Sequence, residues 1–389
     1  MMNVYLDHAA TTPLNPEVLE TMLPWMGNIA YNANATHQFG RQANVVIEQA
    51  REYIASVLHV EPAEIIFNSG GTEGNNAIIH GAAAATGKKH FITSKIEHHA
   101  VLQPIESGSH SCAYTHTFLT PNKLGIVSVE QVVDAIIKDE TALVSLMHVN
   151  NELGSINPLK ELTAACREHG VQFHSDCVQS IGKMPMNLKE LGLDFATISA
   201  HKFYGPKGVG LMYVSRNSDW KAWQLGGSQE RNRRGGTLNI ACIIGMAKAL
   251  QIATLQMDTD QSHYKSLRNS LLTKLKPIFG NKMLVNGGEN DGMPHILNLS
   301  FVNEDGAALD GEMMLFNLDI EGIAVSNGSA CTSGAVLGSH VLVGIGHSNE
   351  VAKSSIRVSF GRSNTAEEIN YVGDKIIECI GRMISQPTP

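Results

Sequence analysis

Ser199-Ala200-His201-Lys202-Phe203-Tyr204-Gly205-Pro206-Lys207-Gly208 is the stretch on which the reading of this chain turns. Leu193 to Ser199 before it and Val209 to Val214 after it are short apolar runs bounded by turn residues, the pattern of two strands joined by an exposed turn. That turn carries Lys202 at the exit of the first strand. Taken alone, such a lysine is a solvated loop cation, because lysine rarely buries. Asp176 alters the reading. It lies in His174-Ser175-Asp176-Cys177-Val178-Gln179, after the apolar run Val171 to Phe173, and so at the exit of another expected strand. A lysine and an aspartate at the ends of neighbouring parallel strands meet the needs of pyridoxal phosphate: an amine that bonds to its aldehyde, and an anion that keeps its ring nitrogen protonated.

Working outward, strand and helix patterns alternate. Apolar runs at Ile65–Asn68, Phe91–Ser94, Ala113–Phe118, Leu143–Met147 and Val171–Phe173 are separated by helical periodicity over residues 75–85, 100–107, 129–138 and 158–169. Units of this length predict an α/β fold with a doubly wound, mostly parallel sheet buried on both faces, with ligands outside the carboxyl ends of its strands. Ser69 to Thr72, Glu97-His98-His99, Asn150-Asn151-Glu152, Asp176 to Gln179 and Ser199 to Lys202 all fall at strand exits. The glycine turn Ser69-Gly70-Gly71-Thr72-Glu73-Gly74 opens a helix, which makes a natural anion cradle, although such a turn is also an ordinary tight connection. After Val214 the texture changes. A polar glycine loop, Gly226 to Thr237, precedes two expected helices over 239–257 and 262–278, and the remainder reads as a smaller α+β unit. The expected division is a large domain over residues 15–258 and a small domain from 1–14 with 259–389.

The 389 residues are 43% apolar and 17% charged, which suits a globular chain with a sizeable core. A net charge of −8 argues against a surface that attracts nucleic acid or anionic lipid, and Arg231, Arg233 and Arg234 read better as a solvated or interface loop than as a nucleic-acid site. The six cysteines show no C-x-x-C pair and no zinc-site spacing, and most, flanked by apolar residues, are expected to be reduced, core-packed thiols. No signal peptide or membrane-length apolar run is apparent, and a cytoplasmic location is expected. Nucleotide-binding patterns fail on spacing.

Taken together, Tyr5-Leu6-Asp7-His8-Ala9-Ala10-Thr11-Thr12-Pro13, Ser69-Gly70-Gly71-Thr72-Glu73, Glu97-His98-His99-Ala100-Val101, Met147-His148-Val149-Asn150-Asn151-Glu152, His201-Lys202 and Gly328-Ser329-Ala330-Cys331-Thr332-Ser333 resemble the cysteine desulfurases of the NifS/IscS type. These are pyridoxal-phosphate enzymes of the class V aminotransferase fold, fold type I, and the resemblance runs over nearly the full length. It implies that Lys202 holds the cofactor covalently, that Asp176 pairs with the ring nitrogen, and that Gln179 bonds the ring hydroxyl. Gly71, Thr72, Ser199 and His201 would cradle the phosphate, with Thr237 reaching the phosphate of a neighbouring subunit in a homodimer. His98 would stack on the ring and exchange protons with the substrate, although a lone histidine after a strand is more often a capped surface group. Asn151 and Arg357 would fix the carboxylate of L-cysteine, the alternative for Arg357 being an interface ion pair.

Cys331 distinguishes the activities that share this scaffold. The resemblance implies that its thiolate takes sulfur from cysteine, leaving alanine and a persulfide for a sulfur-acceptor protein. Iron–sulfur cluster assembly, tRNA thiolation and DNA phosphorothioation all begin this way. A class V aminotransferase needs no such cysteine, selenocysteine lyase activity is compatible with it, and an inactive scaffold for a sulfur-transfer partner is the non-enzymatic alternative. The sequence departs from the family pattern at Cys177, directly after Asp176, where a small residue is usual. Quiet packing of that thiol is expected.

Overall fold

The computed structural model describes residues 2–27, 30–110, 113–289, 292–327 and 338–385. Cys112 and Cys331 lie outside them, as does the whole run 328–337. The strands are β1 (Val4–Tyr5), β2 (Ile65–Asn68), β3 (His90–Ser94), β4 (Thr115–Leu119), β5 (Thr141–Ser145), β6 (Gln172–Asp176), β7 (Phe195–Ser199) and β8 (Gly210–Val214), followed by β9 (Met283–Asn286), β10 (Ile296–Phe301), β11 (Ile323–Ala324) and β12 (Ser355–Ser359). Strands β2 to β8 form one sheet in the order β2-β8-β7-β6-β5-β3-β4. Only β8 runs against the rest, pairing antiparallel with both β2 and β7. The expected mostly parallel sheet is therefore present.

Successive residues of these strands point to opposite faces, and each face has its own core. Phe67, Ile92, Val144, Ile198 and Leu211 pack with Ile47 and Ile54 of the helix Gln38–Leu58 and with Ile243 and Leu250 of the helix Ile240–Phe279. Ile66, Phe91, Leu143, Phe195 and Met212 pack on the other side with Ile78 and Ile79 of the helix Gly71–Thr86 and with Val101 and Ile105 of the helix His99–His110. Burial on both faces is why the strands read as continuous apolar runs rather than alternating ones.

The two helices expected after residue 238 are one helix, Ile240–Phe279. Met257-Asp258-Thr259-Asp260-Gln261-Ser262 looks like a break because its polar residues interrupt the apolar pattern, yet no glycine or internal proline stops the helix there. The expected division at residue 258 thus falls within unbroken helix. Along its length the helix serves two cores: Ile240 to Ala253 belong to the first, and Tyr264 to Phe279 to a third cluster with β10 and β12. It is also the one helix among the described residues long and apolar enough to cross a membrane, but most of its apolar side chains are buried in these cores. The small sheet has the order β12-β10-β9, and its strand β9 went unread in the sequence.

The chain start joins the two parts. Val4 and Tyr5 pair with Ile323 and Ala324, and Ala9 N–H donates to Ser359 Oγ at 2.9 Å. Thr12 N–H donates to the His201 carbonyl, while the Thr12 hydroxyl accepts from Tyr204 N–H at 2.8 Å. Residues 9–12 are thereby laid against the turn that carries Lys202.

The glycine loop is anchored by a buried ion pair. Glu230, Arg231 and Asn232 are three consecutive non-glycine residues at φ 46°, 58° and 63°. Left-handed backbone costs such residues about 1–2 kcal/mol each. Glu230 offsets that cost: both of its carboxylate oxygens bind Arg51, at 2.7 and 2.8 Å, and one also accepts from Phe67 N–H. Glu230→Ala removes the two-pronged partner of Arg51, leaving it Glu48 and the Ile65 carbonyl, and releases the turn, so it should destabilise the fold by about 3 kcal/mol in denaturant unfolding. A loss below about 1 kcal/mol would mean that the pair does not hold the turn.

Candidate active site

The carboxyl ends of the parallel strands face a cavity of about 490 Å³, within the range of small-molecule and cofactor sites. Its lining includes Gly71, Thr72, His98, Asn151, Asp176, Gln179, Ser199, His201, Lys202 and Arg357. Every expected site residue among those described converges here except Thr237, which is exposed beyond the polar loop and does not line the cavity. Cys331 lies outside the described residues.

Lys202 ends a short 3₁₀ turn after β7, and its Nζ donates to the carbonyls of Ala9 and Ala10, both at 2.6 Å. Loss of water around the amine, reinforced by the charge of Arg357, lowers its pKa to about 8. The lysine is therefore partly a free amine near neutral pH. Asp176 is the last residue of β6; its Oδ2 accepts from Asn75 Nδ2 at 2.8 Å and its Oδ1 from Val178 N–H at 3.0 Å. Gln179 donates from Nε2 to the Ala9 carbonyl at 2.9 Å, leaving a second amide hydrogen for a ligand.

His98 precedes the helix His99–His110, and its Nδ1 accepts from Ala100 N–H at 3.0 Å. A backbone donor at Nδ1 makes that nitrogen an acceptor, so a neutral ring carries its proton on Nε2. Desolvation lowers the pKa of His98 and Lys202 adds to the effect, while Asp176 opposes it. His201 is pushed down to about 4, first by desolvation and then by Lys202, and its Nδ1 meets the Thr11 hydroxyl at 3.1 Å.

The helix Gly71–Thr86 begins at Gly70, whose φ of 144° suits glycine and whose side supplies no cap. Its first N–H groups lack intrahelical acceptors and point a partial positive charge at Ser199 and His201. A Cβ on Gly71 would stand 3.1 Å from Val178 Cγ2, so a side chain there would crowd the cradle. On the opposite side, Arg357 of β12 donates from Nη2 to Asp7 Oδ1 at 2.7 Å and from Nη1 to the Asn151 carbonyl at 3.0 Å. Its Nε is buried without a partner, an opening for one more acceptor.

These donor sets fit pyridoxal phosphate with an amino-acid substrate: a capless helix start for the phosphate, a carboxylate for the ring nitrogen, a low-pKa amine for the aldehyde, and an arginine with a spare donor for a carboxylate. The class V aminotransferase family model matches residues 4–372. The chain belongs to this family. Within it the chain falls among the cysteine desulfurases of the IscS/NifS type, enzymes that use pyridoxal phosphate. The cysteine desulfurase IscS of Dictyoglomus turgidum is 43% identical over 382 residues, covering 98% of this chain and 95% of that protein. A NifS-like protein of known structure superposes with a TM-score of 0.89 at 34% identity, covering 98% and 100% of the two chains. A structure of SspA in complex with cysteine matches with a TM-score of 0.79 at 34% identity over 92% of this chain and 98% of that one.

Several residues of the site escaped the sequence reading. Asp7, which pins Arg357 and accepts from the Ser326 hydroxyl at 3.1 Å, stood inside a quoted motif without a role. Glu152 closed the Asn150-Asn151-Glu152 cluster; it is buried, its Oε2 accepts from Ser339 Oγ at 2.5 Å, and burial raises its pKa to about 7 against the opposing influence of Ser339, Arg357 and His99. Cys177 packs quietly as expected: it is buried, and desolvation raises its thiol to about 12. Of the three arginines in the glycine loop, Arg234 is committed to Glu73 at 2.7 Å and Arg231 to Glu48 at 3.1 Å.

The Lys202 shift has a measurable consequence. Between about pH 8 and pH 10.5 the unfolded chain keeps a proton on residue 202 that the folded chain has released, so folding stability rises with pH across that window. Thermal unfolding of the cofactor-free protein at pH 7.5 and pH 10 should show wild type gaining on Lys202→Met as pH rises. Parallel behaviour of the two proteins would contradict the depressed pKa.

Proposed function

We propose that this chain removes sulfur from L-cysteine, releasing L-alanine and leaving the sulfur as a persulfide on Cys331. The observation that carries the reading is the convergence of Lys202, Asp176, His98 and Arg357 on one cavity of cofactor size, with Cys331 in the sequence motif that follows Ser326. Bound pyridoxal phosphate supplies an electron sink for charge developing at the substrate Cα and Cβ.

The roles of the chain's own groups follow from their chemistry. Lys202 would hold the cofactor, and its amine, lowered toward the neutral form, would take the substrate Cα proton. Asp176, held by Asn75 and Val178, stays aimed at the ring nitrogen; Gln179 offers its spare N–H to the ring hydroxyl. Gly71, Thr72, Ser199 and His201 receive the phosphate, and Thr237 serves the equivalent site of a second subunit, which accounts for its exposure here. Arg357 and Asn151 take the substrate carboxylate, with His98 Nε2 exchanging a proton above it.

The Cys331 thiolate attacks the substrate sulfur, the Cβ–S bond breaks with its electron pair left on carbon, and an S–S bond forms. Protonation of carbon completes alanine. No external oxidant enters, because the sulfur moves as a neutral atom and the thiol proton is conserved on the persulfide or the product. A thiol of a sulfur-acceptor protein then attacks the outer sulfur, forming a new S–S bond as the old one breaks and returns Cys331 as its thiol. We place the enzyme in the cytoplasm as a homodimer, with two units per chain that meet within the helix Ile240–Phe279 between Ala253 and Tyr264. Selenocysteine, with its weaker carbon–chalcogen bond, is a second substrate of the same groups.

Cys331→Ala should stay yellow with bound cofactor but lose at least about a hundredfold in alanine and sulfide release from L-cysteine with reductant present. Retention of wild-type turnover would redirect the reading toward a lyase or transaminase. Arg357→Lys, which keeps the charge but loses the fork, should raise KM for cysteine about tenfold or more with a smaller change in kcat. An unchanged KM would assign Arg357 to a structural pair with Asp7.

A further inference from the structure

Lys183 is a second buried lysine beneath the site, and the mechanism above does not use it. Its Nζ donates to Gln179 Oε1 at 2.8 Å, four residues back along the turn that follows Asp176. No carboxylate pairs with it among the described residues. Asp260, the acid that shares a small cavity with it, is taken by Arg362 at 2.7 Å. The other titratable groups near Lys183 are basic or phenolic: Lys202, His201, His8 and His295, with Tyr204 and Tyr264 across the same cavity.

An unpaired lysine in such surroundings opposes folding, because desolvation and the charge of Lys202 both disfavour its ammonium form. A methionine would fill the space at lower cost. The position must therefore be read by what the amine touches, which is one atom of one amide. The Ala9 carbonyl can only accept, so the Gln179 atom facing it at 2.9 Å is Nε2 and the atom facing Lys183 is Oε1. Lys183 thus secures the far end of the same amide that presents its donor to the cavity. The Ala9 carbonyl also takes Lys202 Nζ, so a single hydrogen-bonded path runs Lys183, Gln179, Ala9, Lys202.

We propose that Lys183 is a positioning residue for the cofactor: it orients Gln179 so that the amide N–H groups face the Ala9 carbonyl and the ring hydroxyl, and thereby sets the proton affinity of the group formed at Lys202. This rests on the assignment of Lys202 and Gln179 to pyridoxal phosphate. With the donor to the ring oxygen lost or misaimed, the proton on the nitrogen that joins Lys202 to the cofactor would be held more tightly.

The test is a pH titration of the visible absorption band of pyridoxal phosphate bound to wild type, Lys183→Met, Gln179→Ala and the double variant, with thermal unfolding of each cofactor-free protein. Lys183→Met should move the band's midpoint to higher pH by roughly half a unit or more. Gln179→Ala should do likewise, and the double variant should move little further than the larger single shift, as expected for two residues acting through one contact. Unfolding temperature should stay level or rise in Lys183→Met, since an apolar side chain relieves the buried amine. An unmoved midpoint, strictly additive shifts, or a shift accompanied by a fall in unfolding temperature would overturn the positioning role. If wild type forms no band with pyridoxal phosphate, the functional reading itself fails; if Lys202→Ala alone abolishes a band that wild type forms, that reading stands whatever Lys183 does.

Discussion

The Ala9 carbonyl oxygen is the point on which the site depends. It accepts Lys202 Nζ at 2.6 Å and Gln179 Nε2 at 2.9 Å, while the N–H of the same residue is fixed by Ser359 Oγ of β12. One residue near the chain start thus ties the turn that carries Lys202, the turn that follows Asp176 and the small sheet that carries Arg357. None of these elements is close to the others in sequence. Hydrogen bonds of this kind contribute about 1 kcal/mol each net, so their value lies less in stability than in geometry: they set the distance between an amine, an amide and a guanidinium that line one cavity.

The large sheet explains why a loop so far along the chain can be placed so accurately. Strands β5, β6 and β7 are parallel neighbours in register, with His174 opposite Phe195 and Asp176 opposite Thr197. Asp176 and Lys202 leave the sheet at adjacent strand ends, and the helix Gly71–Thr86 aims its uncapped start at the same edge. Apolar cores on both faces hold those strand ends rigid. Polar residues at the exits are left free for chemistry because the strands do not need them for burial.

How much of this the sequence disclosed follows from the range of the interactions. Strand β2 was legible to the residue, because an apolar run between turn residues is a local signal, and the convergence of five polar clusters followed once the sheet was recognised as parallel. The continuous helix Ile240–Phe279 was misread at Met257 to Ser262, where polarity marks the gap between two cores rather than a chain break. Strand β9 was missed since Met283-Leu284-Val285-Asn286 is short and lies at a sheet edge. Asp7 and Lys183 carried no usable signal at all: their roles come from partners 350 and 4 residues away, and no spacing rule connects Asp7 to Arg357. Pairwise tertiary contacts of that kind are what a pattern reading cannot supply.

The electrostatic state of the site follows from burial. Lys202 and His201 are drawn down to about 8 and 4, and Lys183 is also lowered, while Glu152 is drawn up to about 7 and the enclosed Glu97 is raised as well. Acids and bases alike drift toward their neutral forms because water is absent, and only a few opposite charges meet, Arg357 with Asp7 among them. Such a cavity keeps an uncapped helix start and the Nε of Arg357 without acceptors of their own. On the function proposed above, a phosphate at the helix start and a carboxylate at Arg357 would supply the acceptors that these donors lack. The desolvation that costs the empty fold stability would, on that proposal, also favour an anionic cofactor and an amino-acid carboxylate in the filled site.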